Sequence, residues 1–145
     1  MKAFIILIVT ALGIVSAEES TDESLLSSFI EEIDPNRDDF FVDNDCNPLA
    51  NNANSYDLMN GLGRIEKWSF EEFRVYTIRP SDCWGRLYRV SEVVMLRDGV
   101  LTEVMSHYYD IQEVILVGSI LTLSISDRHS FEYELGGPKI HFYPE

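Results

Sequence analysis

From Trp68 onward the chain is a succession of runs rich in aromatic and β-branched residues, separated by short clusters of turn-forming residues. Such residues favour β-strands, and the short connections favour antiparallel neighbours, because a parallel pair needs a long crossover. The pattern therefore predicts an antiparallel sheet of five to six strands. The predicted strands are Trp68–Ile78, Leu87–Leu96, Val100–Tyr109, Val114–Ile125 and Phe131–Leu135, with a further strand-like run at Ile140–Tyr143.

Two helical patterns precede the strands. Ser20 and Glu23 have the spacing of a capping box at the start of the first pattern, and Pro35 ends it. The second pattern, Leu49–Asn60, recurs at helical spacing inside an asparagine-rich segment and predicts a short helix. Helices followed by strands predict an α+β domain in which the helices cover one face of the sheet. The apolar stripe of the first helix comprises Leu25, Leu26, Phe29, Ile30 and Ile33.

The first seventeen residues have the three parts of a secretory signal peptide. Lys2 supplies the charged start, an apolar stretch runs from Ala3 to Leu12, and small residues precede a cleavage point after Ala17. The alternative is a membrane anchor, which needs about 20 apolar residues and usually basic flanks, whereas this segment is shorter and leads into Glu18. The sequence therefore predicts a leader at residues 1–17 and one secreted, extracellular domain at residues 18–145.

The chain is strongly acidic, with a formal net charge of −14. The excess is concentrated between Glu18 and Asp45, where eleven acidic residues accompany a single basic residue, Arg37. An acidic surface repels phosphate backbones and anionic lipids, so we expect neither nucleic acid nor a membrane as a partner. Two readings of the acidic segment stay open, since it could keep the protein soluble or could steer a basic partner towards it.

Cys46 and Cys83 are the only cysteines of the chain. A secreted protein passes through an oxidising compartment, and two cysteines allow one intrachain pairing. We therefore predict a Cys46–Cys83 disulfide that ties the helical region to the first strands. An intermolecular bridge and a catalytic thiol are the alternatives, and no histidine-bearing motif beside either cysteine favours catalysis.

The run from Val93 to Asp110 predicts a β-hairpin about Asp98-Gly99, a pair typical of type I′ turns. Extending the ladder from this turn sets Val94 opposite Glu103 and Val90 opposite His107. Strand alternation then places His107 on one face with Leu101, Glu103, Met105 and Tyr109, and it places Tyr108 and Asp110 on the other face with Thr102, Val104 and Ser106.

The far end of this hairpin holds the candidate site residues. His107 and Asp110 are the candidate catalytic residues, since imidazole and carboxylate groups serve as general acids or bases. Met105, Tyr108 and Tyr109 are the candidate ligand-binding residues, and Tyr109 could also donate a hydrogen bond to an oxyanion. The alternative reading of His107 is an exposed or hydrogen-bonded strand residue without a function.

Motifs for metals and cofactors are missing from the sequence. A calcium loop counted from Asp43 requires glycine at its sixth position and glutamate at its twelfth, but these positions hold Pro48 and Asn54. His129 and His141 share no zinc-ligand spacing with the cysteines. There is also no nucleophile elbow, phosphate loop or dinucleotide fingerprint. We therefore predict neither a metal nor a cofactor.

The stretch "EVVMLRDGVLTEVMSHYYD" resembles the penultimate hairpin of nuclear transport factor 2-like folds, the cone-shaped group that includes ketosteroid isomerase and scytalone dehydratase. The order of helices before strands is also similar. The resemblance implies a curved sheet with a hydrophobic pocket. Catalytic aspartate and oxyanion-hole residues of the isomerase have no matching positions in this chain, so the resemblance implies no activity.

Two functions remain open at this stage. Many large apolar strand residues without a catalytic motif indicate a secreted binding module for a small apolar ligand or an extracellular protein. The alternative is a small secreted isomerase, dehydratase or hydrolase that uses His107 or Asp110 as its base. No feature of the sequence indicates an oligomeric state.

Overall fold

The computed structural model describes residues 21–83, 90–108, 110–126 and 129–141. The leader predicted at residues 1–17, the predicted cap Ser20 and the candidate binding residue Tyr109 lie outside the described residues. Within them, no helix is long and apolar enough to cross a membrane.

Helix α1 covers residues 21–33, close to the prediction. Its buried stripe consists of Leu26, Phe29 and Ile30, while Ile33 at the last turn is partly exposed. The helix ends just before Asp34, whose carboxylate Oδ2 accepts hydrogen bonds from the backbone N–H groups of Asp39 and Phe40, both at 2.9 Å. These bonds stop the helix and turn the following segment into the core.

Helix α2 (Ser55–Asp57) continues as a π-helical turn over Leu58–Leu62. Its cap is Asn54, whose side chain accepts from the first turn while Asp57 reaches back to the cap N–H. The turn ends at Gly63, which has a left-handed φ of 65°. The second helix was therefore correctly predicted in place, but it starts later than Leu49 because the cap is Asn54.

Eight strands in the described ranges form two sheets, and the predicted α+β class is confirmed. The five-stranded sheet has the order β1-β2-β3-β4-β8 and the three-stranded sheet the order β5-β6-β7. All neighbours are antiparallel except β4 and β8, which are parallel. The strands are β1 (Ile65–Ser69), β2 (Arg74–Ile78), β3 (Ser91–Arg97), β4 (Val100–His107), β5 (Glu113–Val117), β6 (Ile120–Ser126), β7 (His129–Glu134) and β8 (Ile140–His141).

Two of the predicted long strands are hairpins. The run Trp68–Ile78 contains the end of β1 and all of β2, and the backbone N–H of Phe70 donates to the carbonyl of Phe73 across the turn at 2.9 Å. The run Val114–Ile125 divides into β5 and β6 at Gly118, whose φ of 63° suits the first central residue of a type II′ turn. Apolar residues continue through both turns, which is why the runs were predicted as single strands.

The β3–β4 hairpin follows the predicted register near its turn and departs from it further on. Val94 pairs with Glu103 as predicted. The ladder then shifts, because Val104 is an extra residue that forms a β-bulge, and Ser91 rather than Val90 lies opposite His107. The predicted Val90–His107 pairing is therefore wrong.

The bulge also changes which side chains share a face. Leu101 pairs with Leu96, whereas Met105 pairs with Val93 on the opposite face of β3. His107 stays on the face of Met105, as predicted. Leu101 and Glu103 were wrongly placed on that face, because one inserted residue reverses the alternation beyond it.

Both faces of the five-stranded sheet are covered by a core. One core lies towards α1 and the segment after it, and the other lies between the two sheets. Each fully buried aliphatic or aromatic side chain stabilises the fold by roughly 1.5 to 3 kcal/mol. The first core includes Leu26, Ile30, Phe41, Ile78 and Leu96, and the second includes Val75, Val93, Met105, Leu121 and Tyr133.

The predicted disulfide between Cys46 and Cys83 is confirmed, with a Cα–Cα distance of 5.6 Å. It joins the segment after α1 to the segment after β2. A backbone hydrogen bond from Ser81 N–H to the carbonyl of Asp39, at 2.7 Å, joins the same two segments.

Gly99→Val is expected to destabilise the domain by roughly 1 to 2 kcal/mol, because Gly99 has a φ of 73° that a β-branched residue adopts only with strain. Space is not the obstacle, since nothing lies within 4 Å of an added Cβ. Urea unfolding of the variant measures the loss. As a control, Gly61→Val adds the same side chain to open space where no positive φ is required. An equal loss in both variants would contradict the assignment to turn strain.

Candidate functional site

His107, a candidate catalytic residue, lies at the end of β4 in the core between the two sheets. The residue is 0% exposed, and its ring centroid lies 5.0 Å from that of Phe131. Met105, a candidate binding residue, is equally buried in the same core. A ligand therefore reaches neither side chain unless the two sheets separate.

Asp110, the second candidate catalytic residue, lies on the surface beside the same end of β4. Its Oδ2 is 3.3 Å from Nη1 of Arg79, and its Oδ1 accepts a hydrogen bond from Ser91 Oγ at 3.4 Å. Ser91 is the ladder partner of His107, so the structure brings the two candidates to one end of the hairpin. It places them in different environments, however, one solvated and the other in the core. Tyr108 is half-buried.

A polar cleft of about 520 Å³ surrounds Asp110 and the disulfide. Three aspartates and two arginines line it, so it carries no excess of positive charge for an anionic ligand. These charged residues are Asp43, Asp82, Asp110, Arg64 and Arg79.

The two arginines of the cleft are engaged in holding the chain. Arg64 is buried and donates through Nη1 to the carbonyl of Phe40. Burial lowers the pKa of its guanidinium, and the nearby charge of Asp82 opposes that shift. Arg79 donates through Nη2 to the carbonyl of Gly63 at 2.6 Å. Arg64 thus ties the segment before β1 to the segment after α1, and Arg79 ties the segment after β2 to the segment before β1.

Asp43, at which a calcium loop would begin, instead stabilises a turn. Asp43 Oδ1 accepts hydrogen bonds from the backbone N–H groups of Asp45 at 2.8 Å and Asn47 at 2.9 Å. Across the described ranges, no group of three or more histidine, cysteine, aspartate or glutamate side chains is arranged to hold a metal ion.

The outer face of the three-stranded sheet exposes apolar side chains. Ile115 is 42% exposed and Val117 is 70% exposed, while Leu116 between them packs against the core. Ile120 pairs with Val117 and so lies on the same face. Register places three glutamates around these residues. We call this set the outer-face patch, and its members are Glu113, Ile115, Val117, Ile120, Glu132 and Glu134.

The sequence analysis missed this patch because it predicted Val114–Ile125 as one continuous strand. The Gly118-Ser119 pair between two apolar runs is a hairpin signal that would have divided it. With the hairpin recognised, strand alternation places Ile115 and Val117 together on one face. Only the packing of the sheets shows which face is solvated.

Comparisons with known proteins give no relatives for this chain. No family model matches it, and neither the curated proteins nor the solved structures provide a match. The resemblance to nuclear transport factor 2-like folds therefore stays a prediction.

Proposed function

We propose that this chain is a secreted, non-catalytic binding module that recognises an extracellular protein through the outer-face patch. The observation that carries the proposal is the exposure of Ile115 and Val117 side by side on one strand. Protein interfaces combine an apolar centre with a polar rim, and the patch has this composition, with glutamates around three aliphatic side chains.

A protein ligand fits this chain better than a small apolar ligand. Small-molecule sites are concave and enclose most of the ligand surface. The sheet face that would line such a cavity is instead packed with core side chains, including the fully buried Met105, Leu121 and Leu123. The outer-face patch is open, which suits the large surface of a protein partner.

Binding also fits better than catalysis. A general base must lie within hydrogen-bond reach of the proton that it removes. His107 is enclosed in the core, and both oxygens of Asp110 are engaged by Arg79 and Ser91. His107 and Asp110 therefore do not face a common cavity.

Secretion is supported by two features of the chain. Residues 1–17 have the parts of a signal peptide. Cys46 and Cys83 form a disulfide, and such bonds persist in oxidising compartments. The partner is therefore sought outside the cell.

The test compares two aspartate variants. Ile115→Asp combined with Val117→Asp places charge in the outer-face patch, and we expect it to weaken partner binding at least tenfold, since central interface residues contribute roughly 1 to 2 kcal/mol or more each. Val100→Asp is the matched control, because Val100 is also apolar and 60% exposed but lies at the β3–β4 turn. Each protein is immobilised and exposed to the same extracellular fluid, and the retained proteins are quantified by mass spectrometry.

A partner at the patch is retained by the wild type and by the control but not by the double variant. Equal retention by all three proteins would contradict the proposal. Thermal unfolding establishes that the double variant is folded, which we expect because both side chains point to solvent.

A further inference from the structure

We infer that the partner contributes an extended segment that adds as a new strand to the free edge of β5. Every second residue of this segment faces the outer-face patch, apolar beside Ile115 and Val117 and basic beside Glu113. The inference rests on the proposed function and specifies the class of partner.

Backbone groups of β5 are available for such an addition. Within the described chain, β5 pairs with β6 alone and forms an edge of the three-stranded sheet. Val117 and Ile120 flank a two-residue turn, so they form a hydrogen-bonded pair in which the N–H of each residue donates to the C=O of the other. By alternation, Val114 and Leu116 direct their N–H and C=O groups away from β6 and towards the open edge.

The other sheet edges in the described chain are protected in ways that β5 is not. Proteins discourage strand addition with charged side chains or very short edge strands. β1 carries Glu66 and Lys67, β8 has two residues, and β7 carries two glutamates and a histidine. β5 has five residues, and Glu113 at its start is its only charge. An unprotected apolar edge is the form used in recognition by strand addition.

Charge indicates a basic segment. The described residues of β5, β6 and β7 include Glu113, Glu132 and Glu134 but neither lysine nor arginine. Opposite charges on neighbouring strands stabilise the pairing, and like charges destabilise it.

The same charge disfavours a second copy of this chain as the occupant. Two chains with a net charge of −14 repel each other. An antiparallel β5–β5 pair centred on Ile115 would also place Glu113 beside Val117 and leave both acidic groups without a basic neighbour in the pair.

The experiment uses a fluorescent peptide of the sequence Thr-Val-Thr-Val-Thr-Lys-Thr-Lys, blocked at both ends. In the antiparallel orientation its valines lie beside Val117 and Ile115, and its first lysine lies beside Glu113. A control peptide carries glutamate in place of lysine. We expect the wild type to prefer the lysine peptide and Glu113→Lys to reverse the preference. A preference that Glu113→Lys leaves unchanged would overturn the assigned register.

Leu116→Pro separates strand addition from side-chain docking. Proline removes the outward N–H of Leu116 without removing a hydrogen bond to β6. It also replaces a side chain that packs against the core, so thermal unfolding first establishes that the variant is folded. We expect about a tenfold loss of affinity for the lysine peptide. Lys67→Pro is the matched control, because Lys67 is exposed on edge strand β1 and its N–H also points outward. Unchanged affinity of folded Leu116→Pro would overturn strand addition.

Amide hydrogen exchange of the wild type gives the same answer without a substitution. The lysine peptide should slow exchange at Val114 and Leu116, and unchanged exchange there at saturation would overturn the inference.

If the aspartate double variant loses its protein partner but Leu116→Pro retains it, strand addition fails and the proposed function survives. If the double variant also retains it, the proposed function itself fails. A wild-type dimer that Leu116→Pro converts to a monomer would replace the basic partner with a second copy.

Discussion

Asp22→Ala is expected to lower the free energy of unfolding by about 3 to 5 kcal/mol, the cost of removing one partner from a buried ion pair. Asp22 lies in the first turn of α1 and is 4% exposed. Its carboxylate accepts from Arg74 Nε at 2.7 Å and Nη2 at 3.1 Å, and from the hydroxyl of Tyr76 at 2.8 Å. The substitution leaves the buried hydroxyl of Tyr76 and the largely buried guanidinium of Arg74 without this acceptor. It also removes the contact that holds α1 on β2.

Urea unfolding of the variant, followed by circular dichroism, measures this loss. Tyr76→Phe is the control, because it removes one hydrogen bond and leaves the ion pair, and we expect it to cost about 1 kcal/mol. If Asp22→Ala costs no more than Tyr76→Phe, the ion pair does not hold the helix on the sheet.

The same contact predicts a change of stability with pH. Burial, and next the hydrogen bond to Asp22, raise the pKa of Tyr76 above its usual value of 10.0. A group with a raised pKa in the folded state contributes stability that is complete below its unfolded pKa and is lost as the pH rises through the folded pKa. The wild type should therefore lose stability above pH 10 more steeply than Tyr76→Phe.

Removal of the disulfide by Cys46→Ser with Cys83→Ser is expected to cost about 3 to 4 kcal/mol, because the bond closes a loop with a sequence separation of 37 and restricts the unfolded chain. The melting temperature should fall by on the order of 10 °C. Calorimetry of the oxidised wild type, the reduced wild type and the double variant measures the effect. The reduced wild type should resemble the double variant. A loss below about 1 kcal/mol would mean that the hydrogen bond between Ser81 and Asp39 already holds the two segments in place.

Features encoded within a few residues could be predicted from the sequence. The apolar stripe of α1 and Pro35 located the first helix, since both signals act within one or two turns. Asp98 and Gly99 located the β3–β4 turn, because a type I′ turn requires positive φ at both positions and these residues tolerate it. The single disulfide followed from there being only two cysteines.

The register of the strands and the facing of their side chains needed long-range information. The extra residue at Val104 has no mark in the hydrophobic pattern, yet it reverses the facing of every side chain beyond it. The Gly118-Ser119 pair marks the β5–β6 turn locally, but only the packing of the sheets decides which face of these strands is solvated.

The candidate site shows the same limit. His107 and Asp110 are close in sequence and were predicted on opposite faces of the strand, but the sequence did not predict that one is buried in the core and the other solvated. Their surroundings differ because the three-stranded sheet packs over one face of β4 and encloses His107, while Asp110 lies beyond the strand and meets Arg79. Burial depends on which sheet covers which face, and local sequence does not carry that information.

The sequence by itself determined the α+β class, the first helix, the turn at Asp98-Gly99, the cysteine pairing and the acidic character of the chain. These properties depend on backbone preferences within a few residues, on composition, or on the number of cysteines, which allows one intrachain pairing. Only the tertiary structure decided that the strands form two sheets, that His107 is buried, and that Ile115 and Val117 stay exposed on an edge strand of the described chain. Each of these depends on contacts between segments far apart in the chain, where the free energy of packing selects one arrangement among several that the local pattern allows.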